Sequence, residues 1–132
     1  MKEIFEIMVI DDDPFCNLLT TRVIEKANID SKIQVFDNPL DALKRLEKNS
    51  KSMPNMIFLD LNMPVLHGWD FVNLFLELDP QKTKNVSLII LSASSNQSDL
   101  DKAIEVGCIQ KYITKPLKTD DVRSLYNNIK PN

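Results

Sequence analysis

The chain has 132 residues, of which 43% are hydrophobic and 27% charged, and its formal net charge is −3. This length suits one globular domain, and the lack of a basic run or basic face argues against direct nucleic-acid binding. No apolar stretch approaches the ~20 residues that a membrane span requires, and with only two glycines the sequence offers no Gly-rich phosphate-binding loop.

Five short apolar runs, each bounded by polar residues, predict five β-strands. The first, third and fourth runs are almost continuously apolar, which is typical of central strands covered on both faces. The second and fifth runs are short and mixed. In chain order the predicted strands span residues 4–10, 33–36, 56–59, 86–91 and 111–114.

Amphipathic segments after each strand predict five helices. In the first helix, the apolar residues Phe15, Leu19, Val23 and Ala27 recur at every fourth position and predict its buried face. Gly107 can end the fourth helix in the left-handed conformation. Helix starts carry capping side chains: Asp13-Pro14, Asn38-Pro39, Asn96 with Asp99 three residues on, and Thr119 before two aspartates.

This strict alternation predicts a (βα)5 flavodoxin-like α/β fold, a three-layer sandwich around a five-stranded parallel sheet of order 2-1-3-4-5. Ligands of such folds bind at the carboxyl ends of the strands, near the point between strands 1 and 3 where the strand order switches direction. We expect one domain over residues 1–132, with no output domain attached.

Acidic residues follow the two strands that flank this switch point. Asp11 and Asp12 come directly after the first strand, Asp60 comes directly after the third, and Lys115 follows the fifth. Carboxylates at buried strand ends are costly unless something uses them. Carboxylate oxygens suit Mg²⁺, and an ammonium group can neutralise a phosphoryl oxygen. The sequence therefore predicts a site for a divalent cation and a phosphoryl group, with the backbone carbonyl of Asn62 as a further cation ligand.

Other polar residues have weaker signals. Ser92 ends the fourth strand, where its hydroxyl could donate to a phosphoryl oxygen, and Tyr112 is either plain core or an aromatic side chain that changes rotamer. His67 fits a solvated loop residue, and Trp69 fits packing at the start of the third helix.

The N-terminal residues and the two cysteines indicate where in the cell the protein is located. Met1-Lys2-Glu3 carries an acid where a signal peptide would not. Cys16 and Cys108 match no metal or redox spacing and fit reduced thiols. We therefore expect a cytoplasmic protein.

Four motifs, each at the end of a predicted strand, resemble those of CheY-like receiver domains of two-component response regulators over essentially the whole chain. They are Val9-Ile10-Asp11-Asp12-Asp13-Pro14, Asp60-Leu61-Asn62-Met63-Pro64 with Gly68, Leu91-Ser92-Ala93, and Lys115-Pro116.

The resemblance implies a phosphorelay signalling module. Asp60 would be the phosphoacceptor for a sensor histidine kinase or a phosphotransfer protein. Mg²⁺ would be held by Asp11, Asp12, Asp60 and the Asn62 carbonyl, and phosphoryl oxygens would be bound by Ser92 and Lys115. Ser92 and Tyr112 would switch the surface of the fourth helix, fifth strand and fifth helix for a downstream protein target. No turnover substrate, direct nucleic-acid contact or membrane insertion is expected, and the protein would be a monomer or weak dimer.

The sequence departs from the receiver pattern at several places. The segment from Gly107 to Tyr112 is one residue longer than usual, which leaves the register of the fifth strand open, and the polar segment 79–85 lengthens the third connection. Gln110-Lys111 replaces two acids that support dimers of many DNA-binding regulators. His67 replaces the usual acid or amide before Gly68.

Two other functions are compatible with the fold. A degenerate receiver could serve as a phosphorylation-independent scaffold, although the complete set of site residues argues against this. A small-phosphate hydrolase with an aspartyl intermediate would need a general acid/base, and Asn62 stands where a partner acid two residues after Asp60 would be required.

Overall fold

The computed structural model describes residues 4–48 and 52–129. Met1-Lys2-Glu3, the acidic N-terminus that predicts the absence of a signal peptide, lies outside them. The five strands form one parallel sheet of order β2-β1-β3-β4-β5, which confirms the predicted fold. Their bounds are β1 Phe5–Ile10, β2 Ser31–Phe36, β3 Met56–Leu59, β4 Ser87–Ser92 and β5 Ile109–Thr114.

The helices follow the strands as predicted, with one addition. Among the described residues they are α1 Pro14–Lys26, α2 Pro39–Glu47, α3 Gly68–Leu76, α4 Pro80–Thr83, α5 Gln97–Val106 and α6 Thr119–Ile129. The polar segment 79–85 was expected to be only a long connection, but Asp79 caps the short helix α4. Lys82 Nζ in α4 donates to the carbonyl of Leu46 at 2.7 Å, which ties this connection to the end of α2. No helix in residues 4–48 and 52–129 combines the length and apolar character needed to cross a bilayer.

Side chains alternate across the sheet, so the core has two halves. Met8 and Ile10 of β1 face α2, α3 and α5, whereas Ile7 and Val9 face α1 and α6. Both faces of β1, β3 and β4 are covered, as their apolar runs predict. Polar groups are therefore expected at the edge of the sheet that the carboxyl ends of the strands form.

The extra residue before Tyr112 is absorbed by a bulge between β4 and β5. Leu88 pairs with Ile109 and Ile89 with Lys111, so Gln110 is the additional residue on β5. Beyond the bulge the register is regular, with Ser92 opposite Thr114. The bulge therefore keeps the residue after β5, Lys115, beside the end of β4.

Most predicted helix ends are confirmed. The side chains of Asp13, Asn38 and Asn96 each accept a hydrogen bond from a backbone N–H of the first turn. Gly107 ends α5 with φ of 79°. The prediction for α6 was wrong: Thr119 is the first residue of the helix rather than the residue that caps it, and the carboxylate of Asp121 accepts from the backbone N–H of Lys118.

The predicted buried face of α1 was also wrong in part. Phe15 and Leu19 are 65% and 48% exposed, whereas the buried residues of α1 are Asn17, Thr20 and Ile24. The apolar residues spaced four apart lie on a neighbouring face of the helix. The pattern missed the buried face because two of its residues are polar. α1 therefore presents apolar side chains to solvent next to the loop that holds Asp11 and Asp12.

Candidate phosphoacceptor site

The sheet extends by one residue past β1 and β3, and this places two carboxylates side by side. The backbone N–H of Asp11 donates to the carbonyl of Phe36 at 3.1 Å, and that of Asp60 donates to the carbonyl of Ile10 at 3.0 Å. Both residues are buried, at 5% and 7% exposure. The two ends meet at the switch point between β1 and β3, as the fold predicts.

Asp11, Asp12 and Asp60 converge on one point. Each offers a carboxylate oxygen, and the three oxygens lie within 4.8 Å of one another. Hard oxygen donors at this spacing fit Mg²⁺, which prefers carboxylates and water. The Asn62 backbone lies in the same loop, two residues after Asp60, so its carbonyl remains a predicted fourth ligand.

Lys115 joins this cluster from the end of β5. Its Nζ lies 2.7 Å from Asp11 Oδ2 and 3.8 Å from Asp60 Oδ1. Its backbone N–H donates to the carbonyl of Ser92 at 2.7 Å, which fixes the loop against β4. The peptide bond between Lys115 and Pro116 is cis, a question that the sequence alone leaves open.

Burial and charge shift the pKa values of the two central groups. Burial raises the pKa of Asp60 above its ordinary value, the charge of Asp11 adds to this effect, and Lys115 opposes it. Burial by itself would lower the pKa of Lys115, but its hydrogen bond to Asp11 and the charge of Asp60 outweigh burial and raise it. Lys115 therefore stays protonated between the carboxylates.

Ser92 and Tyr112 lie on the side of the cluster toward α5. Ser92 is buried, and its Oγ accepts the backbone N–H of Ser94 at 3.2 Å. Half-buried Tyr112 donates its hydroxyl to the Ser94 carbonyl at 2.6 Å, and burial raises the pKa of that hydroxyl. Tyr112 thus holds the loop that follows Ser92.

The loop after Asp60 is packed so closely that it requires glycine at position 68. The backbone N–H of Gly68 donates to the Leu61 carbonyl at 2.8 Å. A Cβ on Gly68 would lie 2.6 Å from Leu61 Cα and 2.9 Å from the Asp60 carbonyl oxygen. The start of α3 is therefore built directly against the backbone that carries Asp60.

Three residues near the site have contacts that the sequence analysis missed. His67 is exposed, as expected for a solvated loop residue, and it also caps α3, since its Nδ1 accepts the backbone N–H of Trp69 at 3.2 Å. Asp99 does not complete a capping box and instead accepts the indole N–H of Trp69 at 2.9 Å. Buried Asn17 donates to the Asp11 carbonyl at 2.7 Å.

Asp13, by contrast, stays outside the cluster as predicted. It is exposed, and its carboxylate accepts the backbone N–H of Phe15 at 2.9 Å. That bond lowers the pKa of Asp13. Asp13 is therefore a helix cap that happens to adjoin two site residues.

Comparison with known proteins identifies the class. The sequence profile of the response regulator receiver domain matches residues 7–127, and the chain belongs to this family. It is therefore a receiver domain of two-component signalling.

Individual relatives agree with this class. The chain is 24% identical over 123 residues to the chemotaxis protein CheY of Thermotoga maritima, covering 93% of this chain and 95% of that protein. It is 30% identical over 115 residues to protein-glutamate methylesterase/protein-glutamine glutaminase 1 of Myxococcus xanthus, covering 87% of this chain but only 31% of that protein's length. A two-component response regulator from Cytophaga hutchinsonii superposes with a TM-score of 0.89 at 28% identity, over 97% of this chain and 98% of that one.

Proposed function

We propose that Asp60 accepts a phosphoryl group from a phosphohistidine and that the resulting aspartyl phosphate is the signal. The observation that carries the proposal is the position of Lys115 Nζ, 2.7 Å from Asp11 and 3.8 Å from Asp60, beside the three converging carboxylate oxygens. A cation held by these oxygens, together with the ammonium group, would match the charge of a transferring phosphoryl group.

In the transfer, a carboxylate oxygen of Asp60 attacks the phosphorus atom of the phosphoimidazole. The P–O bond forms as the P–N bond breaks, and the imidazole nitrogen keeps the bonding electrons and takes up a proton from solvent. The raised pKa of Lys115 keeps its charge available to the phosphoryl oxygens. Because the chemistry needs no further protein base, placement and charge account for the catalysis.

The carboxylates of Asp11, Asp12 and Asp60 and the carbonyl of Asn62 are the groups that would hold Mg²⁺. When bound, the cation neutralises charge on the carboxylates and on the phosphoryl oxygens. Ser92 would donate its hydroxyl to a phosphoryl oxygen after turning from its present contact with Ser94.

The donor is a sensor histidine kinase or a phosphotransfer protein in this proposal. α1 supports it, since Phe15, Leu18 and Leu19 are exposed on the helix that begins beside Asp11 and Asp12. An apolar patch of this kind is typical of a protein contact rather than of a free surface.

The output would run through Ser92 and Tyr112. If Ser92 turns toward the phosphoryl group, its bond to the Ser94 N–H is lost, the loop is free to move, and the hydroxyl of Tyr112 loses its partner at 2.6 Å. The surface formed by α5, β5 and α6 would then change its affinity for a downstream protein. The protein in this proposal is cytoplasmic and is a monomer or weak dimer. It neither binds nucleic acid directly nor inserts into a membrane.

The decisive experiment is intact-mass measurement after incubation with Mg²⁺ and acetyl phosphate. We expect a phosphate adduct on the unmodified protein and none on Asp60→Asn. Asp13→Asn is the matched control, because asparagine caps helices as well as aspartate does and Asp13 stays outside the cluster; it should form the adduct normally.

The same experiment separates the other functions. A protein that forms no adduct with Mg²⁺ and phosphodonor would act as a phosphorylation-independent scaffold. Continuous release of phosphate without an adduct would indicate a hydrolase. Either result would contradict the proposed role of Asp60.

A further inference from the structure

Asn17 is a buried amide beneath the acidic cluster. It lies on α1, is 4% exposed, and donates from Nδ2 to the backbone carbonyl of Asp11 at 2.7 Å. The bond joins the helix to the end of β1 across a turn of only a few residues. It therefore acts on the peptide unit that links Asp11 to Asp12.

The second polar atom of the Asn17 side chain is its amide oxygen, Oδ1. Within residues 4–48 and 52–129, no hydrogen-bond donor reaches its buried Oδ1. A buried acceptor without a partner costs about 1–3 kcal/mol, and leucine, of similar shape, would avoid that cost. The amide is therefore unfavourable for packing, and its donor bond to Asp11 is the compensating contact.

That contact completes the restraint on Asp11. Its backbone N–H donates to Phe36 at 3.1 Å, its Oδ1 accepts the backbone N–H of Asp13 at 3.0 Å, and its Oδ2 accepts from Lys115 Nζ at 2.7 Å. Asn17 holds the remaining polar group, the carbonyl, so the peptide plane after Asp11 is fixed. The direction of that plane sets where the next side chain, Asp12, leaves the backbone.

We propose that Asn17 is a positioning residue for the cation site, acting through the Asp11–Asp12 peptide. Without its bond the peptide can rotate, and the oxygens of Asp11 and Asp12 no longer stay within the 4.8 Å that a shared cation requires. Groups that orient metal ligands typically change metal affinity by about 10–100-fold when they are removed. The inference rests on the proposed cation site and adds to it a residue that touches neither cation nor phosphoryl group.

The test is Mg²⁺ affinity by isothermal titration calorimetry on the full chain, compared among four proteins. Asn17→Leu keeps the shape and removes the donor, and Asn17→Ala removes the donor with less risk of misfolding. Thr20→Val is the matched control, since Thr20 is buried on the same face of α1, one turn further on. We expect Kd for Mg²⁺ to rise about tenfold in both Asn17 variants and to stay within about twofold in Thr20→Val.

A spectroscopic measurement distinguishes positioning from general loss of structure. The amide N–H of Asp12 belongs to the peptide whose carbonyl Asn17 binds, so its ¹H–¹⁵N resonance should shift in the Asn17 variants without Mg²⁺, while it should be unchanged in Thr20→Val. Folded Asn17 variants that bind Mg²⁺ like the unmodified protein would overturn the inference, as would an equal loss in Thr20→Val. If the unmodified protein itself bound no Mg²⁺, the cation site would fail and the inference with it, and that result is visible before any variant is compared.

Discussion

The indole N–H of Trp69 donates to Asp99 Oδ1 at 2.9 Å and thereby joins the start of α3 to the first turn of α5. Lys102 Nζ lies 5.3 Å from the centre of the same ring. Gly68, the residue before Trp69, packs on the backbone of Asp60 and Leu61. The loop that carries Asp60 is therefore connected to α5 through the side chain of Trp69.

The bond between Trp69 and Asp99 should contribute measurable coupling to stability. We expect Trp69→Phe and Asp99→Ala each to lower the free energy of unfolding, and the double variant to lose about 1 kcal/mol less than the sum of the two. Urea unfolding of the four proteins gives the coupling. Asp101→Ala, on the exposed side of α5, is the control and should combine additively with Trp69→Phe; additive losses for Asp99 as well would show that the bond contributes nothing.

Trp69 is the sole tryptophan of the sequence, so its fluorescence reports on this connection. If phosphorylation of Asp60 moves α5, the emission of Trp69 should change on adding acetyl phosphate with Mg²⁺, and the change should disappear in Asp60→Asn. In Asp99→Ala the change should be smaller, because the indole no longer contacts α5 through its N–H. An emission spectrum that stays constant while mass measurement shows the adduct would mean that Trp69 does not sense phosphorylation.

Gly68→Ala should damage both stability and the site. The new Cβ would lie 2.6 Å from Leu61 Cα, so the backbone must shift, at a cost of about 1–3 kcal/mol. Because the same Cβ would press on the Asp60 carbonyl, phosphorylation by acetyl phosphate should also slow. Gly107→Ala is the contrasting variant: its cost of about 1 kcal/mol comes from the left-handed backbone alone, nothing lies within 4 Å of the added atom, and its phosphorylation rate should stay unchanged.

The parts of this fold that follow from short-range pattern were predictable from the sequence. Apolar runs located β1, β3 and β4 because strands covered on both faces have no polar positions, and the alternation with helices then determined the strand order. The same order brought Asp11, Asp12, Asp60 and Lys115 to one edge, where the structure places all four.

The parts that failed depend on contacts between residues distant in sequence. Nothing local to Asp99 distinguishes a carboxylate that closes its own helix turn from one that accepts a bond from Trp69. The buried face of α1 was misassigned since Asn17 and Thr20 are polar, and the reason for a buried amide appears only when the Asp11 carbonyl is seen above it.

Lys115→Gln should destabilise the protein in the absence of Mg²⁺. The change removes the bond to Asp11 and leaves Asp11 and Asp60 facing each other, and we expect a loss of about 2 kcal/mol. Since the pKa of Lys115 is raised in the folded state, its stabilising contribution is fully present below the unfolded value of 10.5 and is lost as pH rises through the folded value. Urea unfolding should therefore show a large difference between the two proteins at pH 8 and a smaller one at pH 11. A difference that grows with pH would contradict this account.

Asp60→Asn should stabilise the Mg²⁺-free protein near pH 7. The pKa of Asp60 is raised, first by burial and then by the charge of Asp11, so the folded state binds a proton more tightly than the unfolded chain does. Ionising Asp60 therefore opposes folding once pH exceeds the folded pKa, and this penalty disappears as pH falls toward the ordinary value of 3.8. Urea unfolding with a chelator present should show Asp60→Asn more stable at pH 7, with the advantage shrinking as pH falls toward 3.8. Adding Mg²⁺ at pH 7 should reduce the advantage too, since the cation would be held by the carboxylate that the substitution removes. An advantage that is independent of both pH and Mg²⁺ would place its origin elsewhere than in the charge of Asp60.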